Sequence, residues 1–222
     1  MQLLTFIGLV ILGGLLGFII RPKEQLVYGF AVAYVILALL ISADIWLFYF
    51  SGIKNAGVLS TLSFIMSWGG RLGHLLLGYL VGSIAIDRLR KIINAALWGI
   101  SILTGNTFLV ATAGKSQHLD EMITFFTTSG YATWFLFFIM TAETFGALGI
   151  LLHFKLKTGP LAAAGLAIIM LGAVYTHWHN HDPFSDSYAA VGQLINLSLM
   201  LVLYYFEQQA SRRHPASSIY VI

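Results

Sequence analysis

Residues 26–50 read LVYGFAVAYVILALLISADIWLFYF and contain one charged side chain, Asp44. A helix of about 20 apolar residues spans the hydrocarbon core of a bilayer, so this stretch predicts a transmembrane helix. Across all 222 residues, 58% are hydrophobic and 9% are charged, whereas a soluble domain has about 25% charged residues. Because so few charges could not cover a water-facing surface, we expect one membrane domain and no sizeable soluble one.

Similar apolar runs recur along the whole chain. They cover approximately residues 3–20, 26–50, 58–86, 92–113, 131–152, 161–175 and 188–206. The first run lacks the basic start and the small-residue cleavage site of a secretory signal, so we expect it to be retained. The sequence therefore predicts an all-α polytopic bundle of about seven transmembrane helices. The more polar residues 114–130 have an amphipathic part, around Met122 and Phe125, which suits an interfacial helix; the sequence leaves open whether this stretch re-enters the membrane.

The basic residues divide unequally between the two sides of such a bundle. Nine of the twelve lysines and arginines fall on one side: Arg21, Lys23, Arg88, Arg90, Lys91, Lys155, Lys157, Arg212 and Arg213. Basic loops are retained in the cytoplasm. We therefore predict an outside N-terminus and a cytoplasmic C-terminus in a bacterial inner membrane. The positive charge then serves orientation in the bilayer, and we expect no nucleic-acid partner.

Three ionisable residues lie inside predicted spans: Asp44, Arg71 and Glu143. A charge at the bilayer centre costs about 3 kcal/mol on insertion scales, so such residues usually have a partner or a wet cavity. Counting about 1.5 Å per residue places Arg71 and Glu143 at similar depth, which makes them the best-matched pair. His74 shares a helix face with Arg71, three residues away. The cluster is either an ion pair that fixes helix packing or a site that handles protons or a ligand.

A second polar cluster is the segment from His177 to Asp182. Imidazole is a common ligand of zinc, copper and nickel. In an extended segment, the spacing of two would place His177, His179 and His181 on one side, next to Asp182, and would suit a metal ion. In a helix these histidines would diverge. The chain has no cysteine, which excludes thiolate metal sites.

The second half of the chain, from about residue 101 to 207, resembles the DoxX-like family of membrane proteins. The matching pieces are Phe108-Leu-Val-Ala-Thr-Ala-Gly114-Lys115, Phe125-Phe126 with Gly130, Glu143-Thr-Phe-Gly146 with Leu151 and Leu152, and Thr176-His177 before a polar loop. The resemblance implies a four-helix membrane bundle with both ends in the cytoplasm. It also implies that Lys115, Glu143 and His177 are its polar positions.

On this resemblance we divide the chain into an N-terminal extension of three helices (1–91), a DoxX-like bundle (92–207) and a polar cytoplasmic tail (208–222). Members of the family look like subunits of membrane oxidoreductases, including thiosulfate:quinone oxidoreductase. The resemblance therefore implies a subunit of a respiratory or redox membrane complex that anchors protein partners and contributes to a quinone site. No role carries over to Asp44, Arg71 or His74, because they lie in the extension.

Two other functions remain open from the sequence. The chain could be a structural or assembly subunit of a larger membrane complex, in which the charges serve packing. It could also be a small transporter or metal-handling membrane protein, with a metal ion at His177, His179, His181 and Asp182. No catalytic motif is recognisable, so the catalytic residues and whether the chain is an enzyme stay undetermined.

Overall fold

The computed structural model describes residues 2–20, 24–50, 56–87 and 90–213, and these ranges form helices and short connections. The helices are α1 (Gln2–Ile19), α2 (Glu24–Phe50), α3 (Ala56–Asp87), α4 (Arg90–Gln117), α5 (Leu119–Thr128), α6 (Thr133–Leu151), α7 (His153–Leu156), α8 (Gly159–His179) and α9 (Phe184–Arg213). Seven of them are long and coincide with the seven apolar runs, while α5 and α7 are short. The predicted all-α fold is confirmed.

Five helices in the described ranges are long and apolar enough to cross a membrane, namely α2, α4, α6, α8 and α9. A shorter apolar stretch, Ile7–Ile19, lies in α1. Large apolar side chains such as Phe145 and Leu171 are exposed on the outside of the bundle, where lipid tails would contact them. The protein is therefore an integral membrane protein that contacts the bilayer. The count of seven crossings and the sides of the two termini stay predictions.

Helix α4 lies at the centre of the arrangement and packs against α2, α6 and α9. Helix α8 packs against both α6 and α9, so that α4, α6, α8 and α9 form a closed four-helix group. On the other side, α2 joins α4 to α3, and α1 packs along α3. Leu97 and Ile100 of α4 and Leu197 of α9 are fully buried in the core. The division at residue 91 stays a proposal.

The contact between α1 and α3 depends on glycine. A Cβ added at Gly78 would overlap the carbonyl group of Val10, and one added at Gly82 would overlap the carbonyl group of Gly14. Small residues four apart allow two helix backbones to approach this closely. The spacing of Gly78 and Gly82 in the sequence indicates such close packing, and the structure uses it between two helices of the same bundle.

Three helices extend beyond the predicted apolar runs. Helix α4 continues to Gln117 and so includes Lys115, helix α8 continues to His179, and helix α9 continues to Arg213 in the predicted tail. A helix does not have to end where its residues become polar. The last four carbonyl groups of a helix lack partners within the helix, and water can satisfy them when the helix continues beyond the apolar run. These extensions place Lys115 and His177 on helices rather than in loops, and so fix the directions of their side chains in the two polar clusters.

Candidate functional site

A cavity of about 980 Å³ lies within the four-helix group. Most of its wall is apolar and aromatic, from α4, α5, α6, α8 and α9. Its polar lining includes Lys115, Glu143, Gln193 and Asn196, and His74 reaches it from α3. Small-molecule sites are typically apolar pockets of about 300 to 1,000 Å³ with a few placed polar groups. The cavity has the size and lining of such a site.

Lys115 and Glu143 form an ion pair in the cavity wall. Lys115 Nζ donates a hydrogen bond to Glu143 Oε2, and Thr112 Oγ1 donates a second one to the same oxygen at 3.2 Å. The Glu143 side chain is 2% exposed, whereas that of Lys115 is 23% exposed. Because the opposite charges are adjacent, this part of the wall carries no net charge. The pair also ties α4 to α6.

The predicted pairing of Glu143 with Arg71 is not what the structure contains. Arg71 is exposed on α3, and its guanidinium carbon lies 5.0 Å from the ring centroid of Trp68. Equal depth in the membrane did not bring the two residues together, because helix rotation decides which way a side chain points. Glu143 takes Lys115 as its cation instead.

The structure separates the five residues predicted for the buried polar site. Glu143, Lys115 and His74 line the cavity. Asp44 is buried in α2 away from the cavity wall, and its Oδ2 atom has no hydrogen-bond partner within the described ranges. Together with Arg71, it is outside the candidate site.

The histidines of the second cluster diverge. His177 lies in the cavity wall with its Nδ1 atom 2.8 Å from Asp182 Oδ2, while the ring of His179 stacks on Tyr175 at 5.8 Å. Helix α8 runs through both residues, and two positions along a helix differ by about 200° in direction. His181 follows in the left-handed region, with φ 57°.

The metal site predicted from His177, His179, His181 and Asp182 is therefore not assembled. In the part of the chain that the structure describes, no group of three or more histidines and acidic residues could hold a metal ion. What the structure retains of this cluster is one His–Asp pair at the cavity.

Helix α5 forms one wall of the cavity. It contributes the apolar residues Met122, Phe125 and Phe126, so the amphipathic part of residues 114–130 forms a helix. None of its residues is buried. Two hydrogen bonds join the segment after α5 to the C-terminal part of α8. Tyr131 OH bonds Thr176 Oγ1 at 2.8 Å, and Asn180 Nδ2, just after α8, donates to Ser129 Oγ at 2.7 Å. Helix α5 is thus a surface element held mainly at its C-terminal end and by aromatic contacts.

The sequence also contained signals for Gln193 and Asn196, which the prediction did not single out. Both are amides inside the last apolar run, three residues apart and therefore on one helix face. Gln193 Oε1 has no hydrogen-bond partner among the described residues, and Asn196 is buried. Polar residues on one face of a membrane helix usually point into the bundle, and this rule identifies them.

Comparison with known proteins gives a match in the second half of the chain, which contains the cavity. Residues 99–202 match the model of the DoxX-like family. These residues contribute most of the cavity wall, including Lys115 and Glu143. No curated protein and no solved structure is significantly similar to the chain.

Proposed function

We propose that the chain, whose residues 99–202 match the DoxX-like family model, is an integral membrane subunit of a respiratory or redox complex and that its cavity binds a quinone. The observation that carries the proposal is the combination of an apolar wall with the Lys115–Glu143 pair. A quinone is uncharged, has an apolar body and presents carbonyl oxygens. A wall without net charge and with an ammonium donor suits such a ligand.

The neighbouring groups support the same ligand class. Lys115 could donate to a quinone carbonyl, and the carboxylate of Glu143 could accept the proton of a quinol hydroxyl. Gln193 Oε1, which lacks a protein partner among the described residues, offers a further acceptor. An acid–base pair at one side of an apolar pocket is the arrangement that proton transfer to or from a bound ring requires.

Binding of a short-chain quinone to the purified protein, followed by quenching of tryptophan fluorescence, tests the ligand. We expect saturable binding that is lost in Ala173→Phe, which fills the cavity from α8. Leu171→Phe is the matched control, because Leu171 is on the same helix but exposed to the outside. Equal binding by both variants, or none by the native protein, would reject the quinone site.

The protein partner needs its own experiment. Mass spectrometry of the material that co-purifies from native membranes in mild detergent should find redox subunits in stoichiometric amounts. We propose the cytoplasmic membrane of a bacterium as its location, supported by the asymmetry of the basic residues. A chain that purifies alone would contradict the subunit proposal but would leave the quinone site to be tested separately.

A structural or assembly role is the second candidate, and the Lys115–Glu143 tie between α4 and α6 favours it. Such a tie stabilises the bundle whether or not a ligand binds. Glu143→Gln distinguishes the two functions in the assembled complex. Normal turnover with intact assembly would support the structural role, whereas a large loss of turnover with intact assembly would support the ligand site.

A further inference from the structure

A second buried ionisable cluster lies at the opposite end of the four-helix group, around His153. Its ring is 2% exposed, and Nε2 lies 3.0 Å from Glu207 Oε2. The backbone N–H of Gly159 donates to Nδ1 at 3.2 Å. This fixes the proton on Nε2, so that His153 donates to Glu207. Lys157 Nζ, which is 63% exposed, bonds the other carboxylate oxygen at 3.2 Å and connects the cluster to solvent.

Buried hydroxyl groups continue from this cluster into the core. Tyr204 on α9 faces Ser101 on α4. The Tyr204 hydroxyl also lies beside His153 Nδ1, since a Cβ added at Gly159 would overlap both atoms. The hydroxyl oxygens of Tyr204 and Ser101 are buried against each other, and the buried hydroxyl of Thr104 has no hydrogen-bond partner in the described ranges. Burying a hydroxyl without a partner costs free energy, so the Thr104 hydroxyl needs an explanation.

The same face of α4 leads from these hydroxyls to the cavity. Thr107, which lines the cavity, is one turn above Thr104. From Ser101 to Lys115 the distance along α4 is fourteen residues, or about 21 Å. On the antiparallel α9, Asn196 lines the cavity about two turns from Tyr204. Polar groups therefore extend from the Glu207 cluster to the Lys115–Glu143 pair along one interface, between α4 and α9.

We propose that these groups form a proton path through the bundle, between the Glu207 cluster and the cavity. Chains of acidic, histidine and hydroxyl groups inside membrane proteins serve as proton relays, and water bound between such groups gives them hydrogen-bond partners. His153 suits the entrance, because its Nε2 atom contacts Glu207 and its Nδ1 side lies beside the Tyr204 hydroxyl. The path supplies or drains the cavity from the end of the bundle opposite to the His177–Asp182 pair.

Each transfer moves only protons. A proton enters at Glu207 or His153, O–H bonds form and break in sequence along Tyr204, Ser101, Thr104 and the intervening water, and Glu143 receives the proton at the cavity. For each proton that enters, one leaves from Glu143 into the cavity. No electron moves, and no co-reactant is required. The path depends on the cavity but not on the identity of its ligand.

Proton flux into liposomes tests the path without any quinone or partner. The full chain is reconstituted with pyranine inside, and a potassium gradient with valinomycin supplies the driving potential. We expect a flux roughly threefold or more above that of protein-free liposomes, since a relay of this kind conducts under a potential. The variant Tyr204→Phe/Thr104→Val should fall to the protein-free level, while the exposed pair Tyr205→Phe/Thr141→Val should keep the native flux.

The double variant should remain folded, because Tyr204→Phe keeps the buried ring and the Thr104 hydroxyl has no protein partner within the described ranges. Its unfolding temperature in detergent checks this. If it does not fold, Ser101→Ala replaces it, with the exposed Ser198→Ala as control. Native flux equal to that of protein-free liposomes overturns the path, and so does native flux retained by a folded path variant. A failed quinone-binding experiment leaves this result unaffected.

Discussion

Glu143 and Lys115 differ in surroundings, and their stability effects should differ accordingly. Lys115 is partly exposed and could regain water if its partner were lost, but Glu143 is almost fully buried. Lys115→Met should therefore destabilise the protein by about 3 kcal/mol, since it leaves a buried charge without its partner. Adding Glu143→Gln should recover most of this loss. Thermal unfolding in detergent measures both, and a double variant less stable than Lys115→Met would contradict the account.

Gly159 is confined by two polar atoms. A methyl group there would overlap the Tyr204 hydroxyl and His153 Nδ1, so Gly159→Ala should cost about 1 to 3 kcal/mol of unfolding free energy. Gly165→Ala on the same helix is the control, because no atom lies within 4 Å of its added Cβ. Since alanine favours the helix by up to about 1 kcal/mol over glycine, that control should be neutral or stabilising. Equal losses in both variants would show that the contact is unimportant.

At the scale of elements, α1 is held mainly by its contact with α3. Gly78→Ala places a methyl group against the Val10 backbone, which cannot move aside as a side chain can. We expect a loss of about 1 to 3 kcal/mol from this overpacking. Gly70→Ala, in the same helix but with open space at its Cβ, should cause no such loss. Protease sensitivity of the α1 segment, measured beside thermal unfolding, would locate the effect.

Helix α5 should control access to the cavity. The hydrogen bond between Thr176 and Tyr131, which follows α5, contributes about 1 kcal/mol. Tyr131→Phe should therefore raise the population with α5 moved away from the cavity about fivefold. Since the chain has no cysteine, Ala111→Cys in the cavity wall gives a single reactive position. Its maleimide labelling rate should rise by a similar factor in Tyr131→Phe but not in Tyr205→Phe. An unchanged rate would mean that α5 does not control entry.

The elements were predictable from sequence to different degrees, for physical reasons. Apolar runs locate the long helices well, because bilayer thickness fixes their length. They locate the ends poorly, as Lys115 shows: the helix continues through polar residues where backbone hydrogen bonding can continue. The extended segment that the metal prediction at His177 required is not formed for the same reason, since α8 is still helical there.

At the scale of the whole molecule, orientation can be tested directly. Ser116 lies at the Lys115 end of the bundle and Gln208 at the Glu207 end, and both are exposed. If the basic residues face the cytoplasm, Ser116→Cys should react with an impermeant maleimide in intact cells, and Gln208→Cys only after permeabilisation. The reverse pattern would invert the predicted topology.

The candidate site was only partly accessible to sequence reasoning. Glu143 and Lys115 were identified as polar positions, yet their pairing and the cavity depend on how five helices rotate against one another. Counting residues gives depth but not rotation, which explains the choice of Arg71 as partner. The sequence does not indicate the Glu207 cluster. His153 and Lys157 fall between two apolar runs, as residues of a loop do, and Glu207 lies just beyond the last run.

The order of the ion pair along the chain also bears on biosynthesis. Helix α4, with Lys115, is synthesised before α6, with Glu143, and the two side chains are 28 residues apart in sequence. Chains insert from the N-terminus as they are made. When the carboxyl group of α6 enters the bilayer, its ammonium partner is therefore already waiting at the end of the preceding span. The acidic helix need not cross the lipid alone, and the two helices can leave the insertion machinery with this ion pair already formed.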